Sequence, residues 1–214
     1  TKKLFKAEFV DVRPVSGTNA NQSIYTAFTK PGNSILTLSI PNGGHISSGS
    51  SKIGGTAGAV HHLNVNYFPF DHNEMNIDVD KTKQKINNLI KEGNRPSLVM
   101  FGGSVLLFPQ PIKELSDFLH DKNIKICYDA AHVAGLIAGG FFQDPLREGA
   151  DVITASTHKT IPGPQGGLIL SWNKYADQIK KSTFPGNTSN HHLHHVAAKT
   201  VVMTELLEFG TKYA

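Results

Sequence analysis

The chain has 214 residues, 39% of them hydrophobic and 18% charged, with a net charge of +4. That length suits one large α/β domain or two small ones, with enough apolar side chain to fill a core. The lysines are scattered without interleaved aromatics, which argues against a nucleic-acid partner, and no stretch reaches the length of an apolar membrane span. Cys127, the single cysteine, excludes an intramolecular disulfide and fits a reducing compartment, so a soluble cytoplasmic protein is expected.

Taken in chain order, the segments alternate between helix and strand patterns. After Ser16-Gly17-Thr18, residues 20–28 read as a helix stopped by Lys30-Pro31-Gly32. Residues 34–40 form an apolar strand, and Gly43-Gly44-His45 opens a run of small residues to Gly58. Residues 63–70 read as a strand and 78–92 as a helix with Ile86, Leu89 and Ile90 on one face. A buried strand follows at 97–101, then the loop Gly102-Gly103-Ser104, an amphipathic helix at 112–122 and a strand at 124–128 ending on Asp129. Strands at 151–155 and 167–171 flank a loop carrying Lys159, and the tail from Ser189 is helical. No internal repeat or flexible linker interrupts the pattern. The expected fold class is α/β, a mostly parallel central sheet with helices on both faces, forming one domain over 1–214. The chain opens on Thr1 and ends inside an apolar helical pattern, which reads as a piece of a longer polypeptide.

Polar residues gather just past the carboxyl ends of these strands, where open α/β sheets bind ligands. Ser16-Gly17-Thr18 opens a helix and offers free N–H groups and a positive dipole end to an anion. The same residues also fit an ordinary N-cap. Asp129, at a strand end, suits the protonated nitrogen of a pyridine ring, an ion pair that makes the ring an electron sink. It equally suits a cap for the next helix. His132, three residues on, is placed to orient the carboxylate by a hydrogen bond. Lys159 lies in Ser156-Thr157-His158-Lys159-Thr160, a polar loop stiffened by Pro162 and Pro164, and is suited to forming an imine. His45 is placed to lie on an aromatic ring or to serve the fold. His191 and His195 have the i, i+4 spacing of a metal pair, but no Asp, Glu or Cys completes a set, so no metal is expected.

In this order the motifs resemble serine hydroxymethyltransferase, a pyridoxal-phosphate enzyme family of the aspartate-aminotransferase-like fold. The resemblance rests on Ser16-Gly17-Thr18-Asn19-Ala20-Asn21, Gly43-Gly44-His45, Asp129-Ala130-Ala131-His132-Val133-Ala134-Gly135-Leu136-Ile137-Ala138 and Thr157-His158-Lys159-Thr160 followed by Gly163-Pro164 and Gly166-Gly167. It continues through Phe184-Pro185-Gly186 and covers nearly the whole chain. It implies the large cofactor domain of that fold, without the family's amino-terminal segment and carboxyl-terminal small domain. It also implies pyridoxal 5'-phosphate as a Schiff base on Lys159, with Asp129 at the pyridinium nitrogen, His132 near the phenolic oxygen and His45 stacked on the ring. Ser16, Gly17 and Thr18 would hold the phosphate, Ser104 would lie near the ring substituents, and His158 near the phosphate or imine. The implied reaction interconverts serine and glycine with a folate-type pterin as one-carbon carrier, in a homodimer. A threonine-aldolase-like lyase of the same fold, or a truncated non-catalytic cofactor-fold domain, are the alternatives. Three departures stand out: Gln165 replaces the family's arginine, Asn187-Thr188-Ser189-Asn190 replaces a glycine-rich run, and Val105-Leu106-Leu107-Phe108 is more apolar than the family pattern.

Overall fold

A computed structural model describes residues 1–214. Its strands are β1 (Phe9–Asp11), β2 (Ser34–Thr37), β3 (Asn64–Tyr67), β4 (Phe70–Asp71), β5 (Asn76–Ile77), β6 (Pro96–Gly102), β7 (Lys125–Asp129), β8 (Val152–His158) and β9 (Pro162–Ser171). The α-helices are α1 (Lys2–Phe5), α2 (Gly17–Phe28), α3 (Thr56–Ala59), α4 (Val79–Lys91), α5 (Ile112–Asp121), α6 (Ala134–Gly139), α7 (Ala176–Lys181) and α8 (Leu193–Tyr213). Seven strands form one sheet in the order β1-β9-β8-β7-β6-β2-β3. Strands β8, β7, β6, β2 and β3 run parallel, β9 returns antiparallel beside β8, and β1 pairs antiparallel with β9. The chain thus adopts the mostly parallel α/β architecture read from its sequence.

Side chains on a strand alternate between faces, and here the alternation divides the core in two. Val99 and Phe101 of β6, Ile126 and Tyr128 of β7, and Leu168 and Leu170 of β9 face a cluster that includes Ile86 of α4, Leu115 of α5 and Met203 of α8. Leu98, Met100, Cys127 and Ile169 face the opposite cluster, with Ile24 and Tyr25 of α2 and Ile179 of α7. Strands buried on both sides explain the near-continuous apolar runs. Local signals fix the helix starts: Ser16 Oγ accepts from Asn19 N–H at 3.0 Å to cap α2, and Asp78 caps α4 through Lys81 N–H at 2.9 Å.

Several boundaries differ from the sequence reading. The helix read as 20–28 begins at Gly17, because Ser16 is its N-cap. The strand read as 34–40 ends at Thr37; Ile40–Asn42 is a tight 3-10 turn containing Pro41 and closed by Gly43 at φ 94°. The strand read as 63–70 stops pairing at Tyr67, and Phe70–Asp71 pairs instead with Asn76–Ile77 in a separate two-stranded ribbon. Pro69 lies at the break and has no N–H to continue a ladder. The tail becomes helical at Leu193, leaving His191 outside α8, so His191 and His195 do not share a helix face. The imidazoles that meet are His192, His194 and His195, and no group of three His, Cys, Asp or Glu side chains is arranged to hold a metal ion.

Candidate functional site

The carboxyl ends of β6, β7 and β8 open on a cavity of about 170 Å³ lined by Ser16, Gly17, Thr18, His45, Gly103, Asp129, Ala131, Ser156, His158, Lys159 and Gln165. The amino terminus of α2 forms one wall. The N–H groups of Gly17 and Thr18 sit in the first turn, where an α-helix offers them no internal acceptor. Gly17 packs closely there: a β-carbon at this position would overlap the Ser156 hydroxyl, which would have to turn away. The hairpin of β8 and β9 forms a second wall and carries Lys159 in its turn. Helix α6 backs this turn: Gly135 N–H donates to Thr160 Oγ1 at 3.2 Å.

Asp129 ends β7 and is only 3% exposed. Its Oδ1 accepts from Ala131 N–H at 3.0 Å and its Oδ2 from the Asn21 side-chain amide at 2.8 Å. No lysine, arginine or histidine lies within ion-pair distance of it. A buried carboxylate without a cation is costly, and this one faces the cavity. It does not cap the following helix, whose N-cap is Val133.

His132 does not orient Asp129, contrary to the sequence reading. Its Nε2 lies 3.1 Å from Lys159 Nζ instead. Burial, and then the charge of Lys159, hold the His132 imidazole below its ordinary pKa. The neutral ring therefore accepts a hydrogen from the Lys159 amine. His158 is lowered by the same two causes, and its buried Nδ1 has no protein partner. Under His45, Ser47 N–H donates to the imidazole Nδ1 at 3.1 Å and the Ser47 hydroxyl lies 2.8 Å from the same atom.

Of the residues expected from sequence, Ser16, Gly17, Thr18, His45, Asp129, His158 and Lys159 meet at this cavity, with His132 bonded to Lys159 at its edge. Ser104 is not among the lining residues. Its N–H is spent on Gly43 O at 2.8 Å, and Gly103 takes the wall position. Sequence reasoning did not single out Asn21, Ser47, Thr154 and Ser156. Buried polar residues inside otherwise apolar elements, such as Thr154 within β8, were the available signal. Gln165, noted as a departure, lines the cavity. The Asn187 departure is tied to α2 within the chain: Asn19 Nδ2 donates to Asn187 O at 3.1 Å, and Thr188 Oγ1 donates to Asn19 Oδ1 at 2.9 Å.

Comparison with known proteins gives this geometry a lineage. The family model described as serine hydroxymethyltransferase matches residues 1–213. The chain belongs to the serine hydroxymethyltransferase family. A serine hydroxymethyltransferase from Cenarchaeum symbiosum is 62% identical over 213 residues, covering 100% of this chain and 48% of its own length. The Nitrosopumilus maritimus protein of that name is 59% identical with the same coverage, and the Pyrococcus furiosus one is 50% identical over 217 residues, covering 99% and 48%. The chain spans about half the length of these curated relatives. Among solved structures, L-threonine transaldolase from Pseudomonas fluorescens, described in its internal aldimine state, superposes with a TM-score of 0.87 at 29% identity over 99% of this chain and 46% of that one.

Proposed function

We propose that this chain is the cofactor-binding part of a cytoplasmic, homodimeric hydroxymethyltransferase that interconverts serine and glycine. Its cofactor is pyridoxal 5'-phosphate bound covalently at Lys159, and a folate-type pterin carries the one-carbon unit. The observation that carries the reading is one cavity holding Lys159, a buried Asp129 without a cation and the open amino terminus of α2. These match the cofactor's aldehyde, ring nitrogen and phosphate in turn. When bound, the cofactor supplies a sink for negative charge developing at the α-carbon of an amino acid.

The chain's own residues account for the rest. Asp129, held by two N–H donors, keeps the ring nitrogen protonated by ion pairing. Gly17 and Thr18 N–H groups, with the Ser16 and Thr18 hydroxyls, hold phosphate oxygens at the positive end of α2. His132 accepts a hydrogen from the Lys159 Nζ and aims the amine into the cavity. His45, whose Nδ1 accepts from Ser47 N–H, would lie against the ring. Beyond His45, an apolar groove from Ile40 and Gly43 to Leu107 and Phe108 suits the flat face of a pterin.

A second reading, a threonine-aldolase-like enzyme acting on another 2-amino-3-hydroxy acid, is favoured by the likeness to the transaldolase. Dependence of serine cleavage on a pterin separates the two. The deciding experiment is to incubate the protein with pyridoxal phosphate, reduce with borohydride and map the modified lysine by mass spectrometry. Label is expected on Lys159; label on a different lysine, or none, refutes the cofactor reading.

A further inference from the structure

Asn21 lies on the second turn of α2, is 1% exposed and does not itself line the cavity. Its amide is nonetheless bonded on three sides. Nδ2 donates to Asp129 Oδ2 at 2.8 Å and to Ser47 Oγ at 2.9 Å, while Oδ1 accepts from Thr154 Oγ1 at 2.6 Å. The amide orientation follows from chemistry: an ionised carboxylate only accepts, so nitrogen must face Asp129. That choice sets the direction of the whole network. Ser47 Oγ accepts from Asn21, so its own hydrogen is free to point at His45 Nδ1, 2.8 Å away. One amide therefore joins the carboxylate at the end of β7 to the imidazole at the start of the Ile46–Ser48 turn, and Thr154 of β8 fixes that amide in turn.

We propose that Asn21 is a positioning residue that holds the Asp129 carboxylate correctly turned for the cofactor's ring nitrogen, and at the same time seats His45 through Ser47. The proposal rests on the cofactor reading above. Lys159 and His45 share the cavity with Asp129 but lie outside ion-pair distance of it; the other ionisable groups around it are Tyr25 of α2, Cys127 and Tyr128 of β7, and His132. Burial pushes Tyr25, Cys127 and Tyr128 upward and His132 downward, so all four are neutral at pH 7 and none competes with the ring nitrogen as an ionic partner. The carboxylate therefore depends on neutral donors for its stabilisation, and Asn21 supplies the only side-chain one. Hydrogen bonds to the charged form favour it, and those to ionised groups are stronger than neutral ones.

The test is Asn21→Leu, which keeps the approximate volume and removes both donors. Protein is loaded with pyridoxal phosphate carrying 15N in the ring, and the ring-nitrogen shift is followed against pH. The wild type is expected to keep the protonated-nitrogen shift through neutral pH. The variant is expected to lose it about one pH unit earlier, a roughly tenfold loss of proton affinity, with weaker cofactor binding by absorbance titration. Thr154→Val leaves Asn21 in place but removes the hydroxyl that orients it; a smaller shift in the same direction is expected, and this variant carries the test should Asn21→Leu not fold. A fall in melting temperature with an unchanged ring-nitrogen titration in the folded variants would make Asn21 merely structural and overturn the proposal. Borohydride labelling of each protein separates the two failures. Label on Lys159 with an unchanged titration rejects the Asn21 role alone, whereas absence of Lys159 label in the wild type rejects the cofactor reading beneath it.

Discussion

Lys199 is a buried ammonium that does not line the cavity, and its ionisation should be measurable as stability. The side chain is 4% exposed on α8, and its Nζ donates to Val12 O at 2.9 Å, Gly167 O at 3.2 Å and Pro14 O at 3.4 Å. It pins the segment leading into Ser16 against the return strand β9. Burial lowers its pKa from 10.5 to about 8. Between those values the unfolded chain binds more protons than the folded one, so stability rises with pH across that window and the contribution is flat below it. Integrating the proton uptake from pH 7 to pH 10 gives about 2.5 kcal/mol. Tyrosine and cysteine ionisation acts in the opposite direction at high pH but is common to wild type and a Lys199→Met variant. The difference between them isolates the ammonium. Near pH 7 Lys199→Met relieves the buried charge but leaves Val12 O and Gly167 O without this donor, at about 1–3 kcal/mol per unsatisfied group, so the two proteins should lie within a few kcal/mol. Urea unfolding at pH 7, 8, 9 and 10 should then show wild type gaining about 2.5 kcal/mol on the variant. Parallel stability curves over that range would refute the reasoning.

Two further perturbations bear on the cavity. Gly17→Ala places a methyl group against the Ser156 hydroxyl, and should weaken pyridoxal phosphate binding at least about tenfold, the scale of a lost charge-assisted hydrogen bond. The double variant with Ser156→Gly should recover most of it in an absorbance titration; no recovery would mean that the steric account is wrong. For His132, whose pKa is lowered first by burial and second by Lys159, Lys159→Met in the cofactor-free protein should move the imidazole titration upward towards 6.5. The sign is set by linkage: the unfolded imidazole takes its proton as pH falls through 6.5 and the folded one lags, so His132 costs stability only on the acid side. An NMR titration of its Cε1–H that is unchanged in the variant would remove Lys159 as a cause.

What the sequence made legible was whatever local chemistry determines. Ser16 before a small helical turn, Asp129 at the end of an apolar run and Lys159 between two strand patterns could each be placed from their immediate neighbours, and all three line the cavity. The doubly buried strands were readable because both faces are apolar, as at Leu98 to Phe101. Short elements were not. β1 spans three residues and α6 six, AGLIAG, too few to display a period. Long-range polar pairing was equally hidden. Asn21 and Asp129 are 108 positions apart, and Thr154 and Asn21 are 133 apart; no spacing rule links them. His132 shows the opposite hazard. Its closeness to Asp129 in the chain suggested a contact, yet the bend after β7 turns it to Lys159, and the backbone N–H of Ala131 takes the carboxylate oxygen instead.

Helix α2 emerges as the element that ties the two ends of the site together. Its first residue, Gly17, lines one wall of the cavity, and Asn21, four residues later, grips the Asp129 carboxylate that lines another. Four residues of α-helix advance about 6 Å along the axis, so the spacing between the Gly17 wall of the cavity and the Asp129 contact is set by one rigid rod. Each end of the rod is independently anchored. Lys199 and Gly167 hold the approach to Ser16, since Gly167 N–H donates to Pro14 O at 2.8 Å, while Thr154 holds Asn21 from the sheet. Ile24 and Tyr25, both fully buried one turn further on, prevent the helix from sliding along the sheet. A change that loosened only one anchor would therefore be expected to tilt α2 rather than translate it, disturbing one end of the cavity more than the other. This is why loss of Lys199 should be felt as stability near Ser16, and loss of Asn21, on the proposed cofactor reading, as electronics at the ring.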